Sequence, residues 1–405
     1  MNSVSRPRVL LVALANWFGG PRLPRAFSRA GFHVTTFALS GLLILRSQAT
    51  DETVLLPEAT SNEELLAALL AAIERTQPDI VVPTDESSIL ALHAVAARSR
   101  QPGVSDRARG AIAASIGGPK SAATVRNRKA LAELASSRGV RTPDHAVVRS
   151  EADALAFGAR HGYPVVLKEE DSAAGFGVFI CKDEGALREA LRKSSQHPAV
   201  YEQGLLAQTF IAGRTAMRVV VAQAGNVLGG LSALKLETWP TAQGPSTCVE
   251  LFDHPEMKAS CEAIVGALGY SGFASFDFMI DEASRAHLIE LNARPTPISH
   301  LGERYGACLC RHLHAALTGE PTSAGEPQGL PSRVALFPQE WVRDQNSAHL
   351  RAGVYHDAPW EEPDLVEAYV AFGRGQMRYM AYRVLDARDE DLRKKLTELE
   401  RSAEA

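Results

Sequence analysis

Residues 273–294 read FASFDFMIDEASRAHLIELNAR, and this stretch decides how the chain around it folds. Residues 273–280 form an apolar run rich in aromatic side chains, and residues 287–292 form a second, shorter run. The residues between them, 281–286, are polar and have the composition of a turn. Two such runs separated by a short polar turn predict a hairpin of two antiparallel strands.

Two carboxylates face each other in this predicted hairpin. With the turn centred between Ala283 and Ser284, Asp277 pairs directly across from Glu290, and Asn292 follows Glu290 on the same face. Like charges opposite each other on a sheet are destabilising unless a cation neutralises them. A ligand set made only of oxygen atoms suits a hard ion, so these residues predict a Mg²⁺ site.

Arg294 continues the same alternation and places a guanidinium beside the predicted cation, a combination that suits a phosphate. The alternative is that Asp277 and Glu290 are solvated surface residues and that Arg294 is their local ion-pair partner. The flanking residues favour the metal site, because they are apolar and predict that the hairpin is otherwise buried. These flanking residues are Phe276, Phe278, Ile289 and Leu291.

The composition indicates small-molecule chemistry. A chain of 405 residues with 45% apolar content is globular and long enough for two to three domains. Lys and Arg total 43 against 47 Asp and Glu, and the formal net charge of −4 gives no reason to expect nucleic acid or a membrane as the main partner.

The cysteines and the N-terminal region favour a cytoplasmic protein. The five cysteines are scattered without metal-ligand spacing, which suits free thiols in a reducing compartment. Residues 9–15 imitate a signal peptide, but the run is short and continues into a Gly-containing turn, so it predicts a buried strand. No segment approaches the length needed to span a bilayer.

Residues 1–118 alternate strand and helix, which predicts a doubly wound α/β domain. A capping box of Ser61 and Glu64 begins one helix, and no GxGxxG motif supports dinucleotide binding. Asp85 and Glu86 follow a buried strand at the sheet edge where such domains bind ligands. Each of the two is equally well explained as a turn residue or as a substrate contact.

Residues 119–320 mix helices and strands in an α+β pattern, beginning with a predicted helix over about 121–138. Residues 319–331 are rich in Pro, Gly and Ser and read as a linker. The tail beyond it contains Trp341, Trp360 and a charged terminal helix whose apolar face carries Leu392, Leu396 and Leu399. Its predicted role is packing or self-association, as in a homodimer.

A strand ending in Lys168 precedes a turn of small residues, Ser172 to Gly177. Backbone N–H groups of such a turn can approach an anion closely, and a neighbouring lysine adds a point charge. The alternative is a plain hairpin with a surface lysine, and Lys129 on the preceding helix is by itself a weaker signal still.

Taken together in their order, Lys129, Lys168 with its small-residue turn, and Asp277…Glu290-x-Asn292-x-Arg294 resemble the ATP-grasp superfamily. The resemblance covers about residues 1–318. It implies a pre-ATP-grasp α/β domain over 1–118, an ATP-grasp N-lobe over 119–205 and a C-lobe with the metal site over 206–320. Residues 321–405 remain as a C-terminal packing or oligomerisation region.

The resemblance implies the following roles. Lys129 and Lys168 would hold the ATP phosphates, and the residues from Ser172 through Gly175 to Gly177 would form a flap over them. Gln208, Thr209, Phe210 and Ile211 would form a hinge at the adenine, and Asp277, Glu290 and Asn292 would bind Mg²⁺, or Mn²⁺ in its place. Arg294, together with Lys168, would act on the transferring phosphoryl group.

Two positions depart from the pattern of the superfamily. Gln208-Thr209 stands where many members carry Glu-Lys, and Thr215 stands where a glutamate commonly binds the ribose hydroxyls. Both changes predict weaker nucleotide binding, and neither alters the metal ligands.

The activity that the resemblance implies is an ADP-forming carboxylate–amine ligase, in which ATP phosphorylates a small carboxylic acid and an amine attacks the acyl phosphate. The alternatives are a biotin-carboxylase-like reaction and a non-catalytic nucleotide-binding module. Four residues near the hairpin are candidate substrate contacts, although each is also explained by packing: Arg218, Lys235, His300 and Arg311.

Overall fold

The computed structural model describes residues 6–100, 103–169, 177–194, 204–322 and 325–380, together with residues 391, 394, 395 and 398. Three β-sheets organise this part of the chain. The predicted flap, residues 172–176, and the leucines of the terminal helix lie outside the described residues.

The N-terminal sheet is parallel throughout, with strand order β3-β2-β1-β4. Its strands are β1 (Arg8–Ala13), β2 (His33–Leu39), β3 (Glu52–Leu56) and β4 (Ile80–Pro83). The helices that cover it are α1 (Leu23–Arg29), α2 (Asn62–Thr76), α3 (Glu86–Arg98) and α4 (Asp106–Ile116). Because β1 and β4 are buried on both faces, their continuous apolar sequence fits a doubly wound sheet, and the predicted fold class is confirmed.

The predicted capping box at Ser61 and Glu64 is present at the start of α2. Asp85 forms a second capping box with Ser88 and also accepts a hydrogen bond from the backbone N–H of Leu14. Asp85 is 3% exposed, so of its two predicted roles the structure favours the turn residue.

The helix predicted over 121–138 is two helices, α5 (Pro119–Val125) and α6 (Arg128–Ser137). The chain breaks at Asn127, whose backbone is extended and whose side chain accepts a hydrogen bond from the N–H of Ala130. An Asn in this position caps a new helix rather than continuing the old one.

A small antiparallel sheet follows, with strand order β5-β8-β6-β7. Its strands are β5 (His145–Val148), β6 (Val165–Lys168), β7 (Val178–Cys181) and β8 (Leu205–Thr209). Helices α7 (Glu151–His161) and α8 (Glu184–Ser194) cover one face and share its apolar core. The predicted lobe boundary between residues 205 and 206 falls inside β8.

The large sheet has seven strands in the order β13-β12-β9-β10-β11-β14-β15. They are β9 (Arg214–Gln223), β10 (Asn226–Thr238), β11 (Ser246–Leu251), β12 (Gly272–Ile280), β13 (Ala286–Asn292), β14 (Arg333–Leu336) and β15 (Tyr355–Asp357). The remaining helices are α9 (Pro255–Leu268), α10 (Leu309–Thr318), α11 (Gln339–Arg343) and α12 (Pro363–Met380).

The C-terminal region is built into this sheet rather than attached beside it, because β14 pairs with β11 and β15 pairs with β14. Trp360 is 71% exposed, and a role for it in self-association stays a prediction. Among the helices of the described residues, none is both long and apolar enough to cross a membrane.

One apolar core joins the N-terminal sheet to the large sheet, and it includes Leu11, Phe27, Val219 and Phe273. At its edge, Gly19 lies so close to the backbone of Thr296 that a Cβ added there would fall 2.9 Å from the Thr296 carbonyl carbon. Only a glycine permits this approach without movement of one segment. The loop after β1 is thereby held against the segment that follows β13.

Candidate functional site

A cavity of about 330 Å³ lies between the small sheet and the large sheet. The predicted residues that line it are Lys168, Gln208, Thr209, Phe210, Ile211, Thr215, Lys235, Asp277 and Glu290. Residues of the loop between β10 and β11, Gln243 and Gly244, also border it. The cavity therefore gathers most of the predicted cofactor-binding residues from separate parts of the chain.

The predicted pairing of Asp277 with Glu290 is confirmed, but the predicted turn is wrong by half a residue. Near the turn, Ile280 pairs with Ala286 and Met279 with His287, which centres the turn on Ala283. This register would bring residue 289 opposite Asp277. A bulge before Glu290 adds one residue to β13 and restores the pairing.

The bulge also corrects the prediction for Ile289, which was expected on the apolar face. Ile289 lines the cavity beside Glu290, whereas Phe276 and Phe278 are fully buried on the other side of the hairpin. Two successive side chains on one face are a consequence of the extra residue at a bulge.

Each carboxylate of the pair contacts a cation. The Nζ atom of Lys235 lies 3.0 Å from Asp277, and the guanidinium of Arg128 lies 2.8 Å from Glu290. Burial raises the pKa of the Glu290 carboxyl, but the charges of Arg128 and Lys168 outweigh it and leave that pKa below its usual value. Glu290 is therefore ionised at neutral pH.

Lys168 ends β6 with its side chain directed into the cavity, and the residue is 7% exposed. Burial lowers the pKa of its ammonium to about 8, and the nearby Glu290 partly opposes this shift. With Arg128 and Lys235, three positive groups stand against the two carboxylates of Asp277 and Glu290. The surplus of positive charge favours an anionic ligand.

Lys129, which is predicted to hold the phosphates, does not line the cavity, whereas its neighbour Arg128 does. Asn127 caps α6 and sets Arg128 at its first position, facing the cavity. One residue further is about 100° around the helix, so Lys129 points away and pairs with Glu133 at 3.6 Å. The sequence analysis missed Arg128, although Asn127 is a capping residue that marks where α6 begins and so determines which of its side chains face the cavity.

Replacing Arg128 by Met should lower turnover about 100-fold, because the positive charge beside Glu290 in the cavity is lost. Replacing Lys129 by Met should change turnover less than about twofold, because its partner is an exposed glutamate on the same helix. Steady-state rates of the two single variants provide the comparison. A larger loss in the Lys129 variant would contradict the placement seen here.

The far end of the cavity is apolar and lies at the predicted hinge, where β8 leads into β9. Phe210 and Ile180 are 37% and 38% exposed there, although both are large and apolar. Gln208 is buried, and Thr215 lines the same wall. A planar aromatic base would cover the exposed apolar surface.

A second cavity of about 110 Å³ adjoins the first and shares Lys235, Asp277 and Glu290 with it. Asn292 and Arg294 line this second cavity, as the alternation in β13 predicts. The guanidinium of Arg294 lies 5.0 Å from the centre of the Trp17 ring.

Glu86 also faces Arg294, with Oε2 lying 3.5 Å from the Arg294 Nε. Of its two predicted roles, this position supports a contribution to the site. Trp17 and Glu86 both come from the N-terminal domain, and only Glu86 was considered from the sequence.

Three predicted substrate contacts lie outside both cavities. Arg218 donates to Ser232 at 2.8 Å and lies on the face of β9 opposite Met217, which lines the second cavity. His300 contacts the buried carboxylate of Asp357, and Arg311 lies on α10 beyond the cavity walls. Gly177, the residue before β7, is described, but the rest of the predicted flap is not.

The residues at the hairpin fit a hard divalent cation. Asp277 and Glu290 share one face, and Asn292 continues that face two residues beyond Glu290. Among the described residues, no group of three or more His, Cys, Asp and Glu side chains is placed to hold a metal ion. The next oxygen ligand that this face offers beside the two carboxylates is the Asn292 amide oxygen. Carboxylate and amide oxygens without nitrogen or sulfur favour Mg²⁺.

Residues 126–304 match a family model described as the ATP-binding domain of the carbamoyl-phosphate synthase L chain. A D-alanine–D-alanine ligase of Geobacter sulfurreducens is 27% identical over 200 residues, which cover 46% of this chain and 61% of that one. The carbamoyl phosphate synthase large chain of a Thermotoga species is 23% identical over 300 residues, or 71% of this chain and 26% of that one. The chain thus spans less than two thirds of these relatives.

Solved structures share the fold at low identity. A biotin carboxylase of Campylobacter jejuni, in a complex with β,γ-ATP, gives a TM-score of 0.60 at 17% identity and covers 79% of this chain and 72% of that one. An L-amino acid ligase of Bacillus licheniformis gives a TM-score of 0.53 at 21% identity and covers 78% and 75%. At such identities the likeness shows the fold.

Proposed function

Because the chain is a member of the ATP-grasp superfamily, we propose that it is an ATP-dependent ligase that joins a small carboxylic acid to an amine. The observation that carries this proposal is the facing pair of Asp277 and Glu290, shared by two adjoining cavities. The larger cavity has an apolar end and a cationic end, as a nucleotide requires. The smaller one begins where the terminal phosphate would lie.

Within this proposal, Arg128, Lys168 and Lys235 bind and orient the phosphates of ATP. Asp277, Glu290 and Asn292 would hold Mg²⁺, which supplies positive charge that stabilises the transferring phosphoryl group. Phe210, Ile211 and Ile180 would enclose the adenine, and Arg294 would steady the acid against the γ-phosphate. Phosphoryl transfer needs such positioning and charge, and no nucleophilic side chain.

The reaction has two steps. A carboxylate oxygen of the acid forms a bond to the γ-phosphorus, the bond to the β,γ-bridging oxygen breaks, and ADP leaves. The amine then forms a bond to the acyl carbon, the carbon–oxygen bond to phosphate breaks, and the nitrogen loses one proton. The products are an amide, ADP and phosphate.

Hydroxylamine tests the first step without knowledge of the natural amine. The protein is incubated with ATP, Mg²⁺, hydroxylamine and a panel of small acids, and hydroxamate and ADP are expected in equal amounts. Release of AMP and pyrophosphate would contradict the proposal. Nucleotide binding without any turnover would favour a non-catalytic module, and ATP use with bicarbonate alone would favour a carboxylase-like reaction.

Nucleotide affinity should fall as the pH rises through about 8, because Lys168 is positively charged only below its pKa of about 8. The dissociation constant of ATP should increase about threefold to tenfold between pH 8 and pH 9. Titration calorimetry from pH 6.5 to 9.5 measures this change. A Lys168→Arg variant keeps its charge over the whole range and should show a flatter profile. Equal slopes for both proteins would assign the pH dependence to another group.

A further inference from the structure

The C-terminal region contacts the loop between β1 and α1, residues 14–22. Tyr369 of α12 is fully buried, and its hydroxyl donates a hydrogen bond of 2.7 Å to the backbone carbonyl of Phe18. Phe18 follows Trp17, whose ring lies against Arg294 at the smaller cavity. A hydrogen bond from the C-terminal region therefore ends one residue away from a cavity wall.

A second contact holds the other end of the β1–α1 loop. Arg22 donates hydrogen bonds to Asp357, the last residue of β15, at 3.1 Å on its carboxylate and at 2.7 Å on its backbone carbonyl. The same carboxylate lies 2.9 Å from Nε2 of His300, in the segment that follows β13. Burial raises the pKa of the Asp357 carboxyl, but the charge of Arg22 and the contact with His300 leave that pKa below its usual value. Asp357 is therefore ionised at neutral pH and contacts both segments as a carboxylate.

The apolar side of α12 packs against the β1–α1 loop. Leu365, Tyr369 and Phe372 recur at the spacing of one helix face and form a buried core with Phe18. The rings of Phe18 and Phe372 meet edge to face, with their centres 6.0 Å apart. Trp239, the first residue of the loop between β10 and β11, packs against the same core. Two loops that border the cavities thus share one core with the C-terminal region.

Packing alone does not explain the polar contacts. A buried ion pair contributes little net stability relative to apolar groups of the same shape, since both charges lose their water. Its hydrogen bonds are directional, however, and fix the position of the groups that they join. Asp357 therefore fixes the β1–α1 loop relative to the segment that follows β13. These two segments carry Trp17 and Arg294.

We propose that the C-terminal region takes part in building the active site and that Tyr369 and Asp357 are positioning residues. They hold the β1–α1 loop where Trp17 lies against Arg294, so that the guanidinium stays oriented toward the acid. The inference rests on the proposed ligase function and assigns to the C-terminal region a role in that reaction.

Tyr369→Phe removes one hydroxyl and keeps the ring, so it isolates the hydrogen bond to Phe18. In the hydroxamate assay, the KM of an acid that is turned over should rise about threefold to tenfold, the usual effect of one lost hydrogen bond. The KM of ATP should change less than about twofold, because the groups that bind ATP lie in the larger cavity. A purely structural role would instead reduce the fraction of active protein, and so kcat, without a change in KM.

Tyr305→Phe is the matched control. The Tyr305 hydroxyl also donates at 2.7 Å to a backbone carbonyl, that of Pro331, and neither residue is among those that line the two cavities. This variant loses the same kind of hydrogen bond and should keep the wild-type KM for the acid. An unchanged acid KM in Tyr369→Phe, or an equal increase in both variants, would overturn the inference.

Amide hydrogen exchange tests the contact without any substrate. Two N–H groups of the β1–α1 loop, those of Gly20 and Arg22, donate to carbonyls of the same loop. Their exchange should become about tenfold faster in Tyr369→Phe and stay as in the wild type in Tyr305→Phe, because only the first change frees the loop to open locally. Unchanged exchange in Tyr369→Phe would show that Tyr369 does not hold the loop.

The two levels of the proposal fail in different ways. If no acid yields hydroxamate or ADP although ATP binds, the ligase function itself is wrong, and the exchange measurement still decides whether the C-terminal region holds the loop. If acids are turned over and Tyr369→Phe changes neither the acid KM nor the exchange, the ligase function stands and the role of Tyr369 is wrong.

Discussion

The Glu290→Gln variant should release ADP at least about 100-fold more slowly than the wild type, and its half-saturating Mg²⁺ concentration should rise. Glutamine has nearly the same shape, so the change removes a charge and little else. Glu290 is ionised, faces Asp277 across the hairpin and contacts Arg128 at 2.8 Å. Loss of its charge weakens a cation site and leaves Arg128 without that carboxylate.

Turnover should fall much further than nucleotide affinity in this variant. Lys168, Lys235 and the apolar end of the cavity remain to bind ATP, whereas the phosphoryl group loses its counter-charge during transfer. Glu282→Gln is the matched control, since Glu282 lies exposed at the turn of the same hairpin. Wild-type turnover at ordinary Mg²⁺ concentrations in Glu290→Gln would show that Glu290 is not a metal ligand.

The sequence predicts the pairing of Asp277 with Glu290 because side chains alternate along a strand and one face of the hairpin is apolar. It does not predict the bulge before Glu290, since a strand of seven residues is too short for one break in the alternation to be recognised from its sequence. The predicted pair was nevertheless correct, because an error in the turn and the omitted bulge cancelled.

The side of a helix that faces the site was harder to predict. If one continuous helix is assumed over 121–138, nothing in the sequence determines which side chains near its centre face the site. Lys129 was therefore chosen over Arg128. The break at Asn127 determines which side chains of α6 face the cavity. This break depends on a local hydrogen bond, which the Asn127 side chain accepts from the N–H of Ala130. Capping residues in the middle of an apparent helix therefore carry more information than charge alone.

Contacts between distant segments could not be predicted from local patterns. Trp17 lies over Arg294 only because a core shared by the two sheets, and the close approach of Gly19 to Thr296, hold the N-terminal loop there. His300 lies eight residues after Asn292 in sequence, but its side chain contacts Asp357 in β15 instead of the cavity. The residues next to Trp17 and His300 in the sequence do not indicate either of these contacts.

Gly213 lies between the predicted hinge and β9 and packs against the end of β12, and Gly213→Ala should be the most destabilising single-methyl change near the site. A Cβ at Gly213 would collide with the carbonyl oxygen of Ile280, at the end of β12, and with the backbone of Asp281. Backbone atoms cannot rotate away as a side chain does, so the start of β9 and the hairpin have to separate. We expect the free energy of unfolding to fall by about 3 kcal/mol.

The same displacement should weaken nucleotide binding, because Gly213 lies between the hinge residues and the strand that carries Asp277. Chemical denaturation and ATP titration of the variant measure the two effects together. Gly110→Ala is the matched control, since Gly110 lies exposed within α4 with open space around it. That change should stabilise the protein by about 0.5–1 kcal/mol through helix propensity and leave ATP affinity unchanged. If Gly213→Ala and Gly110→Ala change the free energy of unfolding in the same direction, the close approach of Gly213 to Ile280 does not hold the hinge against the hairpin.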